Sequence, residues 1–278
     1  MPARTGDRGH ALARSPAPAT GRTLRRVHPL APVTIVGAGR IGGALAARSP
    51  TPCALVTRTA GWDALGAPAG APIVVATGAD DLGDVLARTP AHRRPDLVFV
   101  QNGMIDPWLA ERGLQANGRA LLYFAVPRRG AAIEPGGTTV LTGRHADALA
   151  AWFAAMDLPA AVVPRGEFTA AALEKLIWNA AFGLLSERFT CPVGQVVEQH
   201  RDVLAALVAE LAAVGRAALG ADLGPGLLDR LCRYSLAIPT YRGAVKDWPW
   251  RNGWFVAAAA AHRVPTPAHD AALRAVGR

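Results

Sequence analysis

Three glycines between residues 37 and 42 offer the clearest chemistry in this sequence. They stand in the run Gly37-Ala38-Gly39-Arg40-Ile41-Gly42, directly after the apolar residues 33–36 and before an alanine-rich stretch. Strand, glycine turn and helix in this order cradle the pyrophosphate of a dinucleotide. The first glycine permits the tight turn, the second lets the pyrophosphate approach, and the third lets the helix pack close to the strand. We therefore predict that all six residues of this turn bind a dinucleotide.

The second strand of such a fold bears on which dinucleotide is bound. An acidic residue about twenty positions after the glycine turn binds the ribose 2′-hydroxyl of NAD, whereas an arginine there accommodates the 2′-phosphate of NADP. Here Arg58 stands between Thr57 and Thr59, at the end of the second apolar run. We predict NADP(H) as the cofactor, with Arg58 and Arg40 as phosphate partners. The alternative is that Arg58 is a solvated loop charge.

The elements that must position these residues alternate between strands and helices from residue 33 onward. The apolar runs are nearly continuous, as parallel strands buried on both faces require. We predict an α/β protein in which an N-terminal Rossmann-like doubly wound sheet (32–165) is followed by an all-α C-terminal domain (166–278), with the ligand in the crevice at the carboxyl ends of the strands. The predicted strands are 33–36, 54–57, 72–77, 96–100, 120–126, 138–142 and 160–163. One predicted helix follows the glycine turn and ends near residue 48, and a second, short helix begins near residue 80. The remaining predicted helices span 146–156, 168–186, 197–220, 226–236, 248–263 and 267–276.

Composition narrows the class of protein. The 278 residues are 51% hydrophobic and carry a formal charge of +9, of which six arginines and one aspartate place about +5 in the first thirty residues. Because no basic stripe with interleaved aromatic residues appears, we expect no nucleic-acid partner. No apolar run is long enough to span a membrane, so we expect a cytoplasmic protein.

Two further expectations follow from composition. The three cysteines share no metal-ligand spacing, and we expect reduced thiols with no disulfide and no zinc. Residues 1–31 are rich in arginine, proline and alanine without periodicity, and we predict a disordered leader there.

Further motifs follow the fourth predicted strand and continue into the helical half. They are Gln101-Asn102-Gly103-Met104, Leu173-Glu174-Lys175-Leu176-Ile177-Trp178-Asn179, Cys191-Pro192-x-Gly194, the segment from Lys246-Asp247 to Asn252-Gly253, and Val264-Pro265-Thr266. Together with the glycine turn and Thr57-Arg58, they resemble the ketopantoate reductase (2-dehydropantoate 2-reductase) family. The resemblance covers about residues 32–276.

The resemblance implies that the protein reduces the ketone of a 2-oxo acid with NADPH. A hydride arriving at the carbonyl carbon leaves alkoxide charge on the oxygen, so a cation that also gives a proton lowers the barrier. The family pattern makes Lys175 this acid and Asp247 a second catalytic group that orients the lysine or the substrate hydroxyl. It also implies that Asn102, Asn179 and Ser235 bind the substrate, with Asn102 at the nicotinamide ribose as well.

Each of these residues also has a structural interpretation. On an amphipathic helix, Lys175 is ordinarily a solvated charge. Asp247 precedes Trp248-Pro249 and is suited to capping a helix there. Ser235 ends a predicted helix, and Asn102-Gly103 is a common turn pair.

The sequence departs from the family pattern at three polar positions. The family has a lysine where Gly78 stands and asparagines where Gly183 and Val193 stand. A polar group left unpaired in a pocket costs about 1 to 3 kcal/mol, so the substrate could be a less polar carbonyl compound or an imine. The alternatives are a noncatalytic NADP(H)-binding protein and a 3-hydroxy acid dehydrogenase of similar architecture. The expected partners are a small-molecule carbonyl substrate and, as a base-rate expectation, a second copy in a homodimer.

Overall fold

A computed structural model of the protein describes residues 31–278, so the predicted leader lies outside the described residues except for residue 31. The strands are β1 (Thr34–Val36), β2 (Ala54–Val56), β3 (Ile73–Val75), β4 (Leu97–Phe99), β5 (Gly118–Leu121), β6 (Phe124–Ala125), β7 (Glu134–Pro135), β8 (Thr139–Thr142) and β9 (Ala160–Val162). The helices are α1 (Arg40–Arg48), α2 (Leu82–Arg88), α3 (Asp106–Ala110), α4 (Ala146–Ala154), α5 (Arg165–Phe189), α6 (Val193–Gln199), α7 (Arg201–Leu219), α8 (Leu227–Ala237), α9 (Asn252–His262) and α10 (Pro267–Ala275). Short 3-10 turns cover Asp63–Gly66, Ala79–Asp81, Ala91–Asp96 and Trp248–Trp250.

Seven strands form one sheet in the order β2-β1-β3-β4-β5-β8-β9. The first five strands in this order, from β2 to β5, are parallel to one another, and β8 is parallel to β9. Only the β5–β8 pair within this sheet is antiparallel. The order reverses beside β1, because β2 lies on one side of it and β3 on the other. A ligand site is expected outside the carboxyl ends of the strands at such a switch point. The predicted fold class is confirmed: a Rossmann-like sheet precedes a run of helices.

The core divides into three clusters. Two lie on opposite faces of the sheet, and the third surrounds α5 in the helical half. The residues of α5 from 176 to 186 are nearly all buried, so this helix is the centre of the helical half. The sheet ends at β9 and α5 begins at Arg165, which is where the domain boundary is predicted.

Three predicted elements differ from the structure. The predicted strand 120–126 is divided into β5 and β6, because the Tyr123 carbonyl accepts a hydrogen bond from Gly136 and β6 pairs with β7 in a separate hairpin. The predicted helix 197–220 begins only at Arg201, because His200 is non-helical and a separate helix, α6, precedes it.

The third difference lies at the predicted helix 248–263, which consists of a 3-10 turn followed by α9. Asp247 adopts a left-handed conformation before the turn, and Arg251 is non-helical after it. Gly253 then lies against this turn, since a Cβ there would approach the Trp248 carbonyl oxygen to 2.6 Å. The chain is therefore non-helical at Arg251 and does not continue from residue 248 to 263 as a single helix.

Candidate active site

A cavity of about 460 Å³ lies at the carboxyl ends of β1, β2 and β3. Its wall includes Gly37, Ala38 and Gly39 from the predicted turn and Arg58 from the end of β2. The N-terminus of α1 directly follows these glycines, so backbone amides and the positive end of the helix dipole lie beside the cavity. The glycine turn and Arg58, far apart in sequence, thus share one cavity of the size that a dinucleotide site requires.

The glycines behave as a dinucleotide turn requires. Gly37 has a φ of +101°, which favours glycine. A Cβ on Gly42 would collide with the Gly37 carbonyl oxygen, whereas a Cβ on Gly39 would meet nothing within 4 Å. Gly42 therefore permits the close contact between helix and strand, and Gly39 leaves the side that faces the cavity open. These residues fit the pyrophosphate of a dinucleotide.

Two other residues of the predicted turn lie elsewhere. Arg40 is exposed at the first position of α1, and among the described residues it does not line the cavity. Ile41 packs against the core of the sheet. The cavity wall instead includes Arg129, an exposed residue that follows β6. Sequence reasoning missed Arg129; its only indication is the basic pair that it forms with Arg128 before Gly130.

Lys175 lies at the carboxyl end of β5. Its amino group donates a hydrogen bond to the Leu122 carbonyl oxygen and lies 4.6 Å from the centre of the Tyr123 ring. Burial and, as the smaller cause, the positive charge of Arg251 together lower the pKa of Lys175 to about 8. An amine with this pKa is mostly protonated at pH 7 and releases its proton more readily than an exposed lysine does.

Asn179 lies one helical turn after Lys175 on the same face of α5. Its amide nitrogen donates to the Lys175 carbonyl oxygen at 2.9 Å, and its amide oxygen lies 3.4 Å from Nη1 of Arg251. Asp247 is 2.7 Å from Nη2 of the same arginine. The carboxylate of Asp247 thus contacts Arg251, and its side chain makes no capping hydrogen bond to the turn that follows.

Arg251 is a residue of this cluster that the sequence did not indicate. Its side chain is 12% exposed, and its Nε is buried without a hydrogen-bond partner within residues 31–278. It lies inside the segment from Lys246-Asp247 to Asn252-Gly253 but is not one of the residues that define that motif, and its backbone is non-helical between the 3-10 turn and α9.

Ser235 is fully buried. Its hydroxyl donates to the Leu231 carbonyl oxygen at 3.0 Å and accepts a hydrogen bond from the Trp178 indole at 2.9 Å. Trp178 follows Lys175 by three residues and forms the wall of a cavity of about 100 Å³ that Lys175 also lines. In this structure, Ser235 acts on the site by holding Trp178.

Asn102 is exposed just beyond the carboxyl end of β4. The backbone there is in close contact with the helical half: Met104 donates to the Trp250 carbonyl oxygen at 2.7 Å, and the Trp250 indole donates to Asp80 at 2.9 Å. The cavity at β1, Asn102 after β4 and Lys175 at the end of β5 therefore follow one edge of the sheet. Neighbouring strands lie about 4.8 Å apart, so β1 and β5 are roughly 14 Å apart along this edge.

The structure shows what surrounds the three positions at which the sequence departs from the family pattern. A Cβ on Gly183 would approach the Ala244 carbonyl oxygen to 2.8 Å, and a Cβ on Gly243 would approach the Gly183 backbone to the same distance. Backbone at 243–244 therefore fills the space that an asparagine at position 183 would need. Val193 is fully buried, whereas Gly78 lies on the wall of the larger cavity and has room for a Cβ.

Comparisons with solved structures identify the fold. A ketopantoate reductase from Ralstonia eutropha matches with a TM-score of 0.69 and 22% identity over 88% of this chain and 97% of its own. A 2-dehydropantoate 2-reductase from Geobacter metallireducens matches with a TM-score of 0.70 and 17% identity over 88% and 98%. A D-mandelate dehydrogenase in complex with NADH and anilino(oxo)acetate matches with a TM-score of 0.66 and 14% identity over 88% and 97%. Searches with protein-family profiles and against curated protein sequences find no match.

The structure is therefore that of a two-part dinucleotide-binding fold. More specifically, it is the fold of the ketopantoate reductases, which confirms at the level of fold the resemblance drawn from the sequence motifs. Among residues 31–278, no helix is long and apolar enough to cross a bilayer. The same residues contain no cluster of three or more histidine, cysteine or acidic side chains suited to a metal ion.

Proposed function

We propose that this protein reduces a 2-oxo acid to the corresponding 2-hydroxy acid with NADPH. The observation that carries the proposal is the position of Lys175, an amine of lowered pKa on the same sheet edge as the dinucleotide cavity. The named neighbours are oxidoreductases of this fold, and one of them is a complex with a nicotinamide cofactor.

When bound, NADPH supplies the hydride for this reaction. Lys175 donates a proton to the carbonyl oxygen as that oxygen becomes an alkoxide, and its positive charge stabilises the developing negative charge. Asn179 orients the substrate from the adjacent helical turn, and Asn102 contacts substrate and ribose at the end of β4. Ser235 contributes by fixing Trp178, and Asp247 contributes through Arg251.

The preference for NADP(H) over NAD(H) is part of the proposal. Arg58 and Arg129 lie on the cavity wall, and the residues after β2 that contact the cavity are Thr57, Arg58 and Thr59, none of them acidic. A guanidinium group is suited to the 2′-phosphate because it donates several hydrogen bonds in one plane. One ketopantoate reductase among the neighbours is described as dimeric, and a homodimer stays a prediction for this chain.

The test is NADPH oxidation across a panel of 2-oxo acids that includes ketopantoate. We expect turnover with at least one of them and a loss of about 10² to 10⁴ in kcat for Lys175→Ala, the usual contribution of a positioned acid. Because the protonated amine is the active form, kcat/KM of the wild type should fall about tenfold per pH unit above the pKa of Lys175, near pH 8. Tight NADPH binding with turnover unaffected by Lys175→Ala would favour a noncatalytic binding protein.

A different outcome of the same panel would point to a different oxidoreductase. Oxidation of 3-hydroxy acids without reduction of any 2-oxo acid would assign the protein to that class. Reduction of an imine instead of a ketone would keep the cofactor and the acid but change the acceptor.

A further inference from the structure

Two arginines lie near Lys175, and their hydrogen bonding differs. All three nitrogens of Arg230 are occupied: Nε and Nη2 bind Glu174, Nη1 donates to Pro225, and Nη2 also donates to Leu223. The guanidinium group of Arg230 is therefore committed to the protein.

The guanidinium group of Arg251 has fewer hydrogen-bond partners within residues 31–278 than that of Arg230. Nη2 binds Asp247 at 2.7 Å, but the contact of Nη1 with Asn179 is long, at 3.4 Å, and Nε has no partner within the described chain although it is buried. A buried donor without an acceptor destabilises the free protein, so an anion that pairs with it relieves this penalty when it binds. Arginine also matches the planar geometry of a carboxylate.

The surroundings of Lys175 are therefore asymmetric. On one side lie Arg251 and Asn179, both polar. On the other side lies the cavity of about 100 Å³, whose wall consists of Tyr123, Trp178, Leu231 and Tyr234 together with Lys175 and the ion pair of Glu174 and Arg230. The two charges of that pair are bound to each other, so the unpaired part of this wall is mostly aromatic. Trp178 and Tyr234 meet edge to face with their ring centres 4.9 Å apart, and Ser235 fixes the indole. An engineered apolar cavity that binds benzene has about 150 Å³, so a cavity of about 100 Å³ is suited to a compact group.

A 2-oxo acid has the same asymmetry, since its carbonyl stands between a carboxylate and a substituent. We propose that Arg251 binds the substrate carboxylate and that the substituent, a compact apolar or aromatic group, enters the cavity formed by Tyr123, Trp178 and Tyr234. This inference rests on the proposed function, and it names the substrate class and the orientation. Asp247 is then a positioning residue that holds Arg251. The negative charge of the substrate also compensates the positive charges of Lys175 and Arg251, which lie close together in the free protein.

The experiment separates carboxylate recognition from turnover. The probe is anilino(oxo)acetate, whose amide carbonyl resists reduction, together with its uncharged methyl ester, titrated calorimetrically into NADPH-saturated protein. For Arg251→Met, we expect Kd for the acid to rise about 10- to 100-fold, as the loss of a hydrogen bond to a charged group predicts. The Kd values for the ester and for NADPH should change less than threefold, which also shows that the variant is folded.

Two matched variants sharpen the test. Lys246 is an exposed cation near the same polar side, and Lys246→Met should change Kd for the acid less than threefold. Arg251→Lys should recover part of the affinity, because it retains the charge but not the planar geometry. In turnover assays, Asp247→Asn should raise KM more than it lowers kcat, as expected if it positions Arg251.

The substituent cavity has its own readout. Among 2-oxo acids, we expect the phenyl-substituted one to show a lower KM than pyruvate, and Tyr234→Ala to reduce this difference at least fivefold.

Each result decides between the inference and the proposed function. Equal losses for acid and ester in Arg251→Met, a larger loss for Lys246→Met, or no binding of the acid by the wild type would overturn the inference. Arg251-dependent binding of the acid without turnover of any 2-oxo acid would support the inference and reject the proposed reaction.

Discussion

The dinucleotide cavity and the surroundings of Lys175 are constructed in different ways. In the first, the consecutive residues Gly37, Ala38 and Gly39 lie on the cavity wall directly before α1, and Arg58 joins them from the end of the next strand. In the second, Lys175, Tyr123 and Arg251 come from three separate segments of the chain. A local motif can therefore specify a binding site made of backbone, whereas a pocket of side chains depends on how distant segments pack.

We expect the glycine turn to tolerate substitutions less well than the surroundings of Lys175 do, and the variant Gly42→Ala tests this expectation. The added Cβ would collide with the Gly37 carbonyl oxygen, so we expect a loss of about 3 kcal/mol in the free energy of unfolding, at the upper end for overpacking, and a loss of NADPH binding of more than tenfold. Gly43→Ala is the matched control, since its Cβ would lie 3.6 Å from the nearest atom, the Ala38 carbonyl oxygen. Urea unfolding and NADPH fluorescence titration measure both effects. Equal behaviour of the two variants would contradict the role assigned to Gly42.

The specificity of the cofactor cavity should depend on one side chain. We expect Arg58→Ala to raise Kd for NADPH about 10- to 100-fold and to leave Kd for NADH nearly unchanged, because only NADPH carries the 2′-phosphate. Arg274→Ala, at an exposed position in the last turn of α10, is the control for loss of a surface charge. Equal loss of affinity for both cofactors would reject the assignment. Arg129→Ala and Arg40→Ala then show which arginine is the second phosphate partner.

The pocket region has its own close backbone contact, at Gly183. Alanine is the better helix former, yet Gly183→Ala should lower the free energy of unfolding by about 1 to 3 kcal/mol, because the Cβ would press on Ala244. Gly166→Ala in the first turn of the same helix meets no neighbouring atom and should be neutral or stabilising by up to about 1 kcal/mol. Thermal unfolding of the two variants measures the difference. If Gly183→Ala proved as stable as Gly166→Ala, the segment 243–244 would be able to move away from the helix.

Local sequence patterns were sufficient for much of the sheet. The central strands β1, β3 and β4 are short apolar runs buried from both sides, and the composition of such runs is sufficient to predict them. The predicted strand 120–126 failed because its residues remain apolar after the chain has left the sheet at Tyr123. Hydrogen bonding to Gly136, which the sequence does not display, decides where β5 ends.

In the candidate site too, the sequence predicted local arrangements but not contacts between distant segments. The sequence motif placed Lys175 and Asn179 on one face of a helix, because residues four apart share a face. It left open what the lysine contacts, and the structure places the amino group on Leu122 and Tyr123. The pairing of Asp247 with Arg251 occurs where Asp247 is left-handed and Arg251 is non-helical, and the sequence predicts neither conformation.

By itself, the sequence determined the dinucleotide turn, the order of strands and helices and the helical face that carries Lys175, since each depends on residues a few positions apart. Only the packing of the whole chain decided that backbone from 243–244 occupies the space beside Gly183 and that Ser235 is bound to Trp178. It also decided that Arg251 stands near Lys175 with a buried Nε that has no partner among residues 31–278. These contacts join residues about 57 to 76 positions apart. They depend on the packing of α5 against the segments after it, which no local spacing encodes.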